Sequence, residues 1–149
     1  MAGVPSGPHF ELAAAAFRRP DAVICLTSAL AFHGLTDQLP HAIDVGLPAH
    51  GWAPRWTWPR IQVAYLAQDR YPDGIEVHEL DGVQVRVTDV PRTIADCWRF
   101  EDRVGRPVVL EGTKAALAGR RCSLDAVITH LDRYGLTERV LPFLECLVA

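Results

Sequence analysis

The sequence predicts an α+β protein: a small, mainly antiparallel sheet over residues 43–87, with flanking helices before it and a C-terminal helical set after it. Three observations predict this architecture. Apolar and polar residues alternate in several short runs between residues 43 and 87, which is the period of half-buried strands. Apolar residues on either side of that region follow helical spacing. Capping residues and glycines bound the helical runs at several of their ends.

The chain begins with a segment predicted to be flexible, followed by a short helix. Residues 1–8 contain two glycines and two prolines, so we expect a lead-in to a single domain over residues 9–149. Residues 10–18 predict a helix that Pro20 ends. Its apolar residues fall on one stripe: Phe10, Ala13, Ala14 and Phe17.

A second helix is predicted within LTSALAFHGL, residues 26–35, after a brief extended run over residues 22–25. Thr27 or Ser28 can cap its start, and Gly34 can close its end. Nearly every residue between them is apolar. A helix that is apolar on all sides is expected to be buried.

Alternation predicts two strands, over residues 43–47 and 61–65. Between them lies HGWAPRWTWPR, residues 50–60, which is rich in Pro, Trp and Arg. This composition predicts a long extended loop or an irregular edge of the sheet.

The register of the hairpin over residues 75–87 depends on its turn at Asp81-Gly82. A two-residue turn mixes polar and apolar side chains on both faces, whereas a three-residue loop sorts them. The three-residue loop also places Glu76 opposite Arg86, an opposite-charge pair worth about 0.2–1 kcal/mol. It is therefore the predicted register, with four apolar residues on one buried face: Ile75, Val77, Val85 and Val87.

The first C-terminal helix is predicted to begin at Thr88 or Asp89, with Pro91 in its first turn. Helical spacing predicts its buried stripe, which comprises Val90, Ile94, Cys97 and Trp98. Two opposite-charge pairs at i,i+4 are expected on its exposed side and just beyond it. They are Arg92 with Asp96, and Asp102 with Arg106.

Three further helical segments follow. Residues 107–118 are closed by Gly119, and a helix capped by Ser123 runs to about Tyr134 before Gly135. The last segment begins near Thr137, and Pro142 is expected to kink it or restart it.

Composition and charge argue against several classes of protein. Fifteen Lys and Arg against eighteen Asp and Glu give a net charge of −3, which is not the footprint of a mainly electrostatic nucleic-acid binder. There is no apolar run of about 20 residues and no signal-peptide pattern, so we expect a cytoplasmic protein without membrane association. No cysteines form a C-x-x-C pair, so they are expected to be reduced and mostly buried: Cys25, Cys97, Cys122 and Cys146.

The sequence assigns no catalytic residue, metal or cofactor. None of the six histidines pairs with another at i+2 or i+4, the usual signature of a zinc site. His33 lacks a nucleophile, since Ser28 is five residues earlier and about 100° out of phase on the same helix. Asp44 and Glu76 leave a metal-dependent nuclease as the less favoured alternative, although His78 stands where such a site wants a lysine.

The loop over residues 50–60 is the best candidate for an interaction site. It interleaves cations with aromatic rings: Trp52, Arg55, Trp56, Trp58 and Arg60. The rings can pack over one end of the sheet with arginines stacked on them. Alternatively they can stack on bases, which would make the chain a sequence-independent nucleic-acid-binding module. Packing is favoured, because the rest of the chain lacks a basic surface.

Two segments resemble a known family. CLTSALAFHGLTDQLP, residues 25–40, and VPRTIADCWRFEDRVG, residues 90–105, resemble in order and spacing the AbiEi antitoxins of type IV toxin–antitoxin systems, which act in abortive infection and phage defence. The resemblance runs from about Phe10 to the C-terminus. The matching residues are Ser28, Ala29, His33, Gly34, Leu35, Pro91, Thr93, Ala95 and Asp96.

The resemblance implies an antitoxin or regulatory domain rather than an enzyme. Family members usually join an N-terminal winged-helix domain, a transcriptional regulator, to a C-terminal antitoxin domain that counters a nucleotidyltransferase toxin. The antitoxin generally acts without a stable complex with that toxin. This chain corresponds to the C-terminal domain, so we expect DNA binding only through an N-terminal domain that it lacks.

Overall fold

A computed structural model describes residues 9–148, and the lead-in predicted over residues 1–8 lies outside them. The described residues confirm the α+β class. Their helices are α1 (Phe10–Arg18), α2 (Leu26–Phe32), α3 (Val90–Arg99), α4 (Glu101–Val104), α5 (Arg106–Ala118), α6 (Leu124–Tyr134) and α7 (Thr137–Val148). Their strands are β1 (Val23–Ile24), β2 (Ile43–Leu47), β3 (Ile61–Tyr65), β4 (Ile75–Leu80) and β5 (Val83–Thr88).

The chain forms two compact units. The first comprises residues up to Cys25 together with Pro40–Thr88, and it contains α1 and all five described strands. The second comprises Leu26–Leu39 and the chain from Asp89 onward, and it contains α2 and α3 to α7.

The sheet of the first unit is mixed rather than mainly antiparallel. Its strand order is β3-β2-β1-β5-β4. The β1–β2 and β4–β5 pairs are antiparallel, whereas β2–β3 and β1–β5 are parallel. A parallel pair needs a crossover of a dozen or more residues, which the long segment between Leu47 and Ile61 provides. The second parallel pair arises because β1, only two residues long, enters the middle of the sheet.

The predicted hairpin register is wrong. Leu80 pairs directly with Val83, so the turn has two residues and Glu76 lies opposite Val87 instead of Arg86. Asp81 and Gly82 have φ values of +50° and +77°, the conformation of the tight turn that Asp-Gly favours. β4 is an edge strand with little buried surface, so burial of one face does not fix its register. The conformation of the turn fixes the register instead.

The faces of the hairpin follow from this register. Val85 and Val87 are buried as predicted, but Val77 is 57% exposed and Ile75 only partly buried. The side chains of His78 and Leu80 lie on the same face as Val85 and are half-buried. The predicted shared face of four apolar residues therefore does not form.

Helix α1 has the predicted bounds but not the predicted buried face. It packs on β5 and β4, and its buried residues are Ala13, Ala15 and Ala16. Phe17 is 76% exposed. The predicted stripe of Phe10, Ala13, Ala14 and Phe17 lines an open groove of about 250 Å³ together with Arg18, Asp81 and Val83.

Most helices of the second unit begin and end where their caps predict, but α2 begins at Leu26, before its predicted caps Thr27 and Ser28. The Asp89 carboxylate accepts from the Arg92 amide at 2.9 Å, and the Ser123 hydroxyl accepts from the Ala126 amide at 3.1 Å. Gly135 closes α6 in the left-handed conformation, with φ of +70°. Helix α7 continues through Pro142 and does not restart there.

The core of the second unit contains Leu30, from the helix predicted to be buried, and Trp98, from the predicted stripe of α3, and both are fully buried. The Trp98 indole N–H donates to the Thr113 hydroxyl at 3.1 Å, so its polar atom is satisfied inside the core. A Cβ atom added at Gly112 would lie 3.0 Å from Leu30 Cδ2, which shows how closely α5 approaches α2.

Candidate functional site

The structure places the two family-like segments next to each other. Residues Ser28 and His33 belong to α2 and its end, and Pro91, Thr93 and Asp96 belong to α3. These two helices pack against each other within the second unit. Segments that are far apart in sequence therefore form one structural feature.

The matched residues of the first segment lie on the buried face of α2 and at its C-terminal end. Ser28 is buried in the helix. Gly34 has φ of +72°, and the Leu35 amide donates back to the Leu30 carbonyl at 2.8 Å, which closes the helix as predicted. The His33 carbonyl accepts from Arg121 Nη1 at 2.8 Å, so this end of α2 is also tied to the loop after α5.

The matched residues of the second segment start α3. Pro91 stands in the first turn, where its missing N–H is not needed. The Thr93 hydroxyl donates to the Asp89 carbonyl at 2.6 Å, and the Thr93 amide donates to the same carbonyl at 2.8 Å. Both Thr93 and Asp96 are fully buried.

Arg92 and Asp96 form a buried ion pair, and the prediction that they lie on the exposed side is wrong. Arg92 Nε donates to Asp96 Oδ2 at 3.1 Å, and neither side chain has any exposed surface. The Tyr134 hydroxyl donates to Asp96 Oδ1 at 2.6 Å. The pair is buried because α3 packs against α2, α5 and α6, which cover it from several sides.

Burial governs the ionisation of this network. It raises the pKa of Asp96 above its usual value, although the Arg92 guanidinium and the Tyr134 hydroxyl act in the opposite direction. Burial, together with the neighbouring Asp96 carboxylate, raises the pKa of Tyr134 as well. A carboxylate held by two donors inside a helical core is typical of a structural network and presents no open position to a substrate.

The second predicted surface pair does not form with Asp102. Arg106 Nε instead donates to Glu101 at 2.6 Å, and Arg139 donates to the same carboxylate at 3.1 Å. The hydrogen bond from Arg106 lowers the pKa of Glu101. These contacts link α4, α5 and α7 on the surface of the second unit.

The two carboxylates of the nuclease alternative do not come together. Asp44 is buried on β2, whereas Glu76 is exposed on β4, and two strands lie between them. At about 4.8 Å per strand, their backbones are roughly 14 Å apart. Glu76 Oε1 instead lies at hydrogen-bond distance, 2.9 Å, from His78 Nε2. Residues 9–148 hold no group of three or more His, Cys, Asp or Glu side chains arranged for a metal ion.

The loop of Trp52, Arg55, Trp56, Trp58 and Arg60 runs alongside α1. Arg18 stands 5.3 Å above the ring of Trp56, whose indole N–H donates to the Pro59 carbonyl at 2.8 Å. The ring of Trp58 lies 5.6 Å from that of Phe10.

The loop is also tied to the end of α1. Arg19 Nη1 donates to the Trp52 carbonyl at 2.6 Å, and Arg19 Nε donates to Asp21 at 2.5 Å. These bonds and the ring contacts fix the loop along the helix from Phe10 to Arg19.

The prediction that the rings of this loop pack against the fold holds for Trp56 and for part of the Trp58 side chain, but not for Trp52. The side chain of Trp56 is half-buried, that of Trp58 is 46% exposed and that of Trp52 is 85% exposed. Arg55 and Arg60 are exposed. Sequence reasoning missed two exposed side chains at the end of α1, Phe17 and Arg18: Phe17 was assigned to the apolar stripe of the helix, and Arg18 lies outside that stripe.

The cysteines lie in both units of the chain. No disulfide joins the four cysteines, all of which lie within residues 9–148; Cys25 and Cys97 are buried, Cys122 is half-buried and Cys146 is exposed. Burial raises the pKa of the Cys122 thiol.

None of the helices within residues 9–148 has the length and apolar character that crossing a bilayer requires.

Comparison with known proteins yields no assignment: no protein-family model matches the chain, and no curated protein matches it. Two structural features bear on function. One is the pair of packed motif helices in the second unit, and the other is the surface beside α1 in the first.

Proposed function

We propose that this chain is the antitoxin domain of an AbiEi-type type IV toxin–antitoxin system, in which it counters a nucleotidyltransferase toxin without catalysing a reaction. The observation that carries the proposal is the packing of α2 against α3. These helices contain the two segments whose order and spacing resemble the family. The matched residues lie at the ends and on the buried faces of these same two helices.

A non-enzymatic role agrees with what the matched side chains do. Asp96 is engaged by Arg92 and Tyr134, and Thr93 donates to a backbone carbonyl. Such side chains are committed to the fold, and a nucleophile with its general base is not found among them. Antitoxicity then comes from the surface of the domain, which this core supports.

Recognition of a specific operator is not part of the proposed role. Reading bases needs an element inserted into a groove of the duplex, with polar side chains on its exposed face. Helix α2 is buried, and α1 carries mainly alanines between its aromatic residues. In a gel shift at about 150 mM salt, the chain should show no preference for its own promoter over scrambled DNA.

Growth rescue tests the proposal directly. The nucleotidyltransferase gene that we expect immediately downstream of this one is induced in a bacterial host, alone and together with the chain. The toxin alone should arrest growth, and co-expression of the chain should restore it. Lys114→Ala, an exposed substitution on α5, should rescue as well as the parent chain, whereas Asp96→Ala should rescue less because less folded protein is present. Arrest that persists despite soluble, folded chain would refute the proposal.

A further inference from the structure

A second surface, in the first unit, has a chemistry of its own that the proposed antitoxin role does not explain. We define the aromatic–arginine surface as the side chains of Phe17, Arg18, Trp52, Arg55, Trp58 and Arg60. It combines the exposed rings and cations of the crossover loop with those at the end of α1. The loop that carries most of it contacts α1 at Phe10 and at Arg18, which are roughly 12 Å apart at 1.5 Å per residue.

The backbone that carries this surface is held in place. Arg19 binds the Trp52 carbonyl, Trp56 binds the Pro59 carbonyl, and Phe10 contacts the Trp58 ring. The rings therefore stand on an ordered support, so little ordering is needed when a ligand binds. Large exposed rings on an ordered support are characteristic of interaction surfaces.

The charge of the surface is locally positive although the chain as a whole is negative. Residues 45–68 contain Arg55 and Arg60 but no carboxylate. Arg19 is neutralised by Asp21, and within residues 9–148 no ion pair involves Arg18, Arg55 or Arg60. Asp81 lies across the groove of α1 and is the acidic residue that lines it. Three arginines thus remain to meet an anionic ligand.

We propose that the aromatic–arginine surface binds single-stranded nucleic acid without sequence preference. Bases stack on exposed aromatic rings, and every base has a face suited to this. Arginines beside the rings contact the phosphates between the bases. In a duplex the faces of the bases are covered by stacking, so they cannot stack on Trp52. An acidic peptide can pair with the arginines, but it has no bases to stack on the indole rings.

Fluorescence anisotropy with the full chain tests the proposal. The probe is a labelled oligonucleotide of about 12 nucleotides, within the site sizes of such surfaces, in RNA and DNA versions. Trp52→Ala should weaken binding by about 5- to 150-fold, the effect of losing one base–aromatic stack. Leu39→Ala removes an equally exposed apolar side chain in the second unit and should leave binding unchanged.

The salt dependence of the affinity tests whether the arginines contact phosphates. For single strands the logarithm of the affinity falls by about 0.7 per phosphate contact for each tenfold increase in salt, so three contacts give a slope of about −2. The double substitution of Arg55 and Arg60 by alanine should reduce the slope to about −0.7, whereas Arg120→Ala, in the second unit, should not change it. Since all these side chains are exposed, thermal unfolding should be unaltered in each variant.

Three outcomes overturn the proposal: no binding of either oligonucleotide, equal binding by Trp52→Ala and the parent chain, or equally tight binding of duplex or polyglutamate. The last would make the surface a site for acidic partners in general. None of these results bears on growth rescue, so the two proposals fail or survive separately.

Discussion

Removing the Asp96 carboxylate should destabilise the protein more than almost any other single change in the second unit. Asp96→Ala leaves the Arg92 guanidinium fully buried without its counter-ion and removes the acceptor of the Tyr134 hydroxyl. Breaking a buried ion pair from one side costs about 3–5 kcal/mol. A domain of this kind is stable by only about 5–15 kcal/mol, so the variant should lose a large fraction of its stability.

Urea unfolding followed by circular dichroism measures this loss. With a slope of about 2 kcal/mol per molar urea, a loss of about 4 kcal/mol lowers the midpoint by about 2 M. Arg106→Ala removes one partner of an exposed ion pair and is the matched control, which should lower the midpoint far less. A cost below about 1 kcal/mol for Asp96→Ala would show that water reaches Arg92 and that the pair is not truly buried.

A double substitution separates the buried charge from the packing. Arg92→Met with Asp96→Leu replaces both charges by apolar side chains of similar size, a change that is often neutral or stabilising in other proteins. The double variant should therefore be more stable than Asp96→Ala alone. The opposite order would mean that the geometry of the charged network, including its bond to Tyr134, is itself required for the packing of α3 against α6.

Three further predictions concern packing and pH. Leu30→Ala should cost about 2–5 kcal/mol and Trp98→Ala about 3–5 kcal/mol in urea unfolding, because each leaves a cavity in the core; losses below about 1 kcal/mol would contradict their burial. Gly46→Ala should cost about 1–3 kcal/mol, since its Cβ would lie 2.7 Å from Cγ of the buried Leu66, and an unchanged melting temperature would disprove the clash. Burial lowers the pKa of His130 below 6.5, because the folded protein favours the neutral imidazole. This contribution to the free energy of unfolding is therefore present above pH 6.5 and is lost as the pH falls through the lowered pKa. His130→Gln should then flatten the loss of stability between about pH 7 and pH 5, and an unchanged pH profile would refute this.

Caps and helical spacing predicted the second unit well because they act within a few residues. Asp89, Ser123 and Gly135 cap or close helices through bonds to their own neighbours, so local sequence is sufficient. Burial of charge is different. The spacing of Arg92 and Asp96 is that of any surface pair, and nothing local indicates that three other helices cover α3.

The sheet was harder to predict because its pairing is non-local. The two residues of β1 are too few to show a period, yet they lie at the centre and make one of the two parallel pairs. The hairpin register was predicted from face sorting, which presupposes one buried face, whereas β4 lies at an edge. The Asp81-Gly82 dipeptide was the stronger local signal.

The candidate surface was predicted in part. The loop residues Trp52, Arg55 and Arg60 are exposed, as an interaction site requires. Their neighbours on α1 were not anticipated, because the stripe that includes Phe17 reads in sequence as a core-facing face. Only the fold shows that the stripe opens onto solvent beside the loop.

The short central strand has a consequence for how the chain folds. Val23 pairs with Arg86, so joining β1 to β5 brings together residues 63 positions apart in sequence, whereas the paired residues Leu80 and Val83 of β4 and β5 are only three positions apart. Closing long loops costs more chain entropy and slows folding. The β4–β5 hairpin can therefore assemble early, whereas the complete sheet must wait until two residues near the N-terminus arrive between β2 and β5. During translation, the residues that will hold the middle of the sheet leave the ribosome long before their parallel partner strand exists.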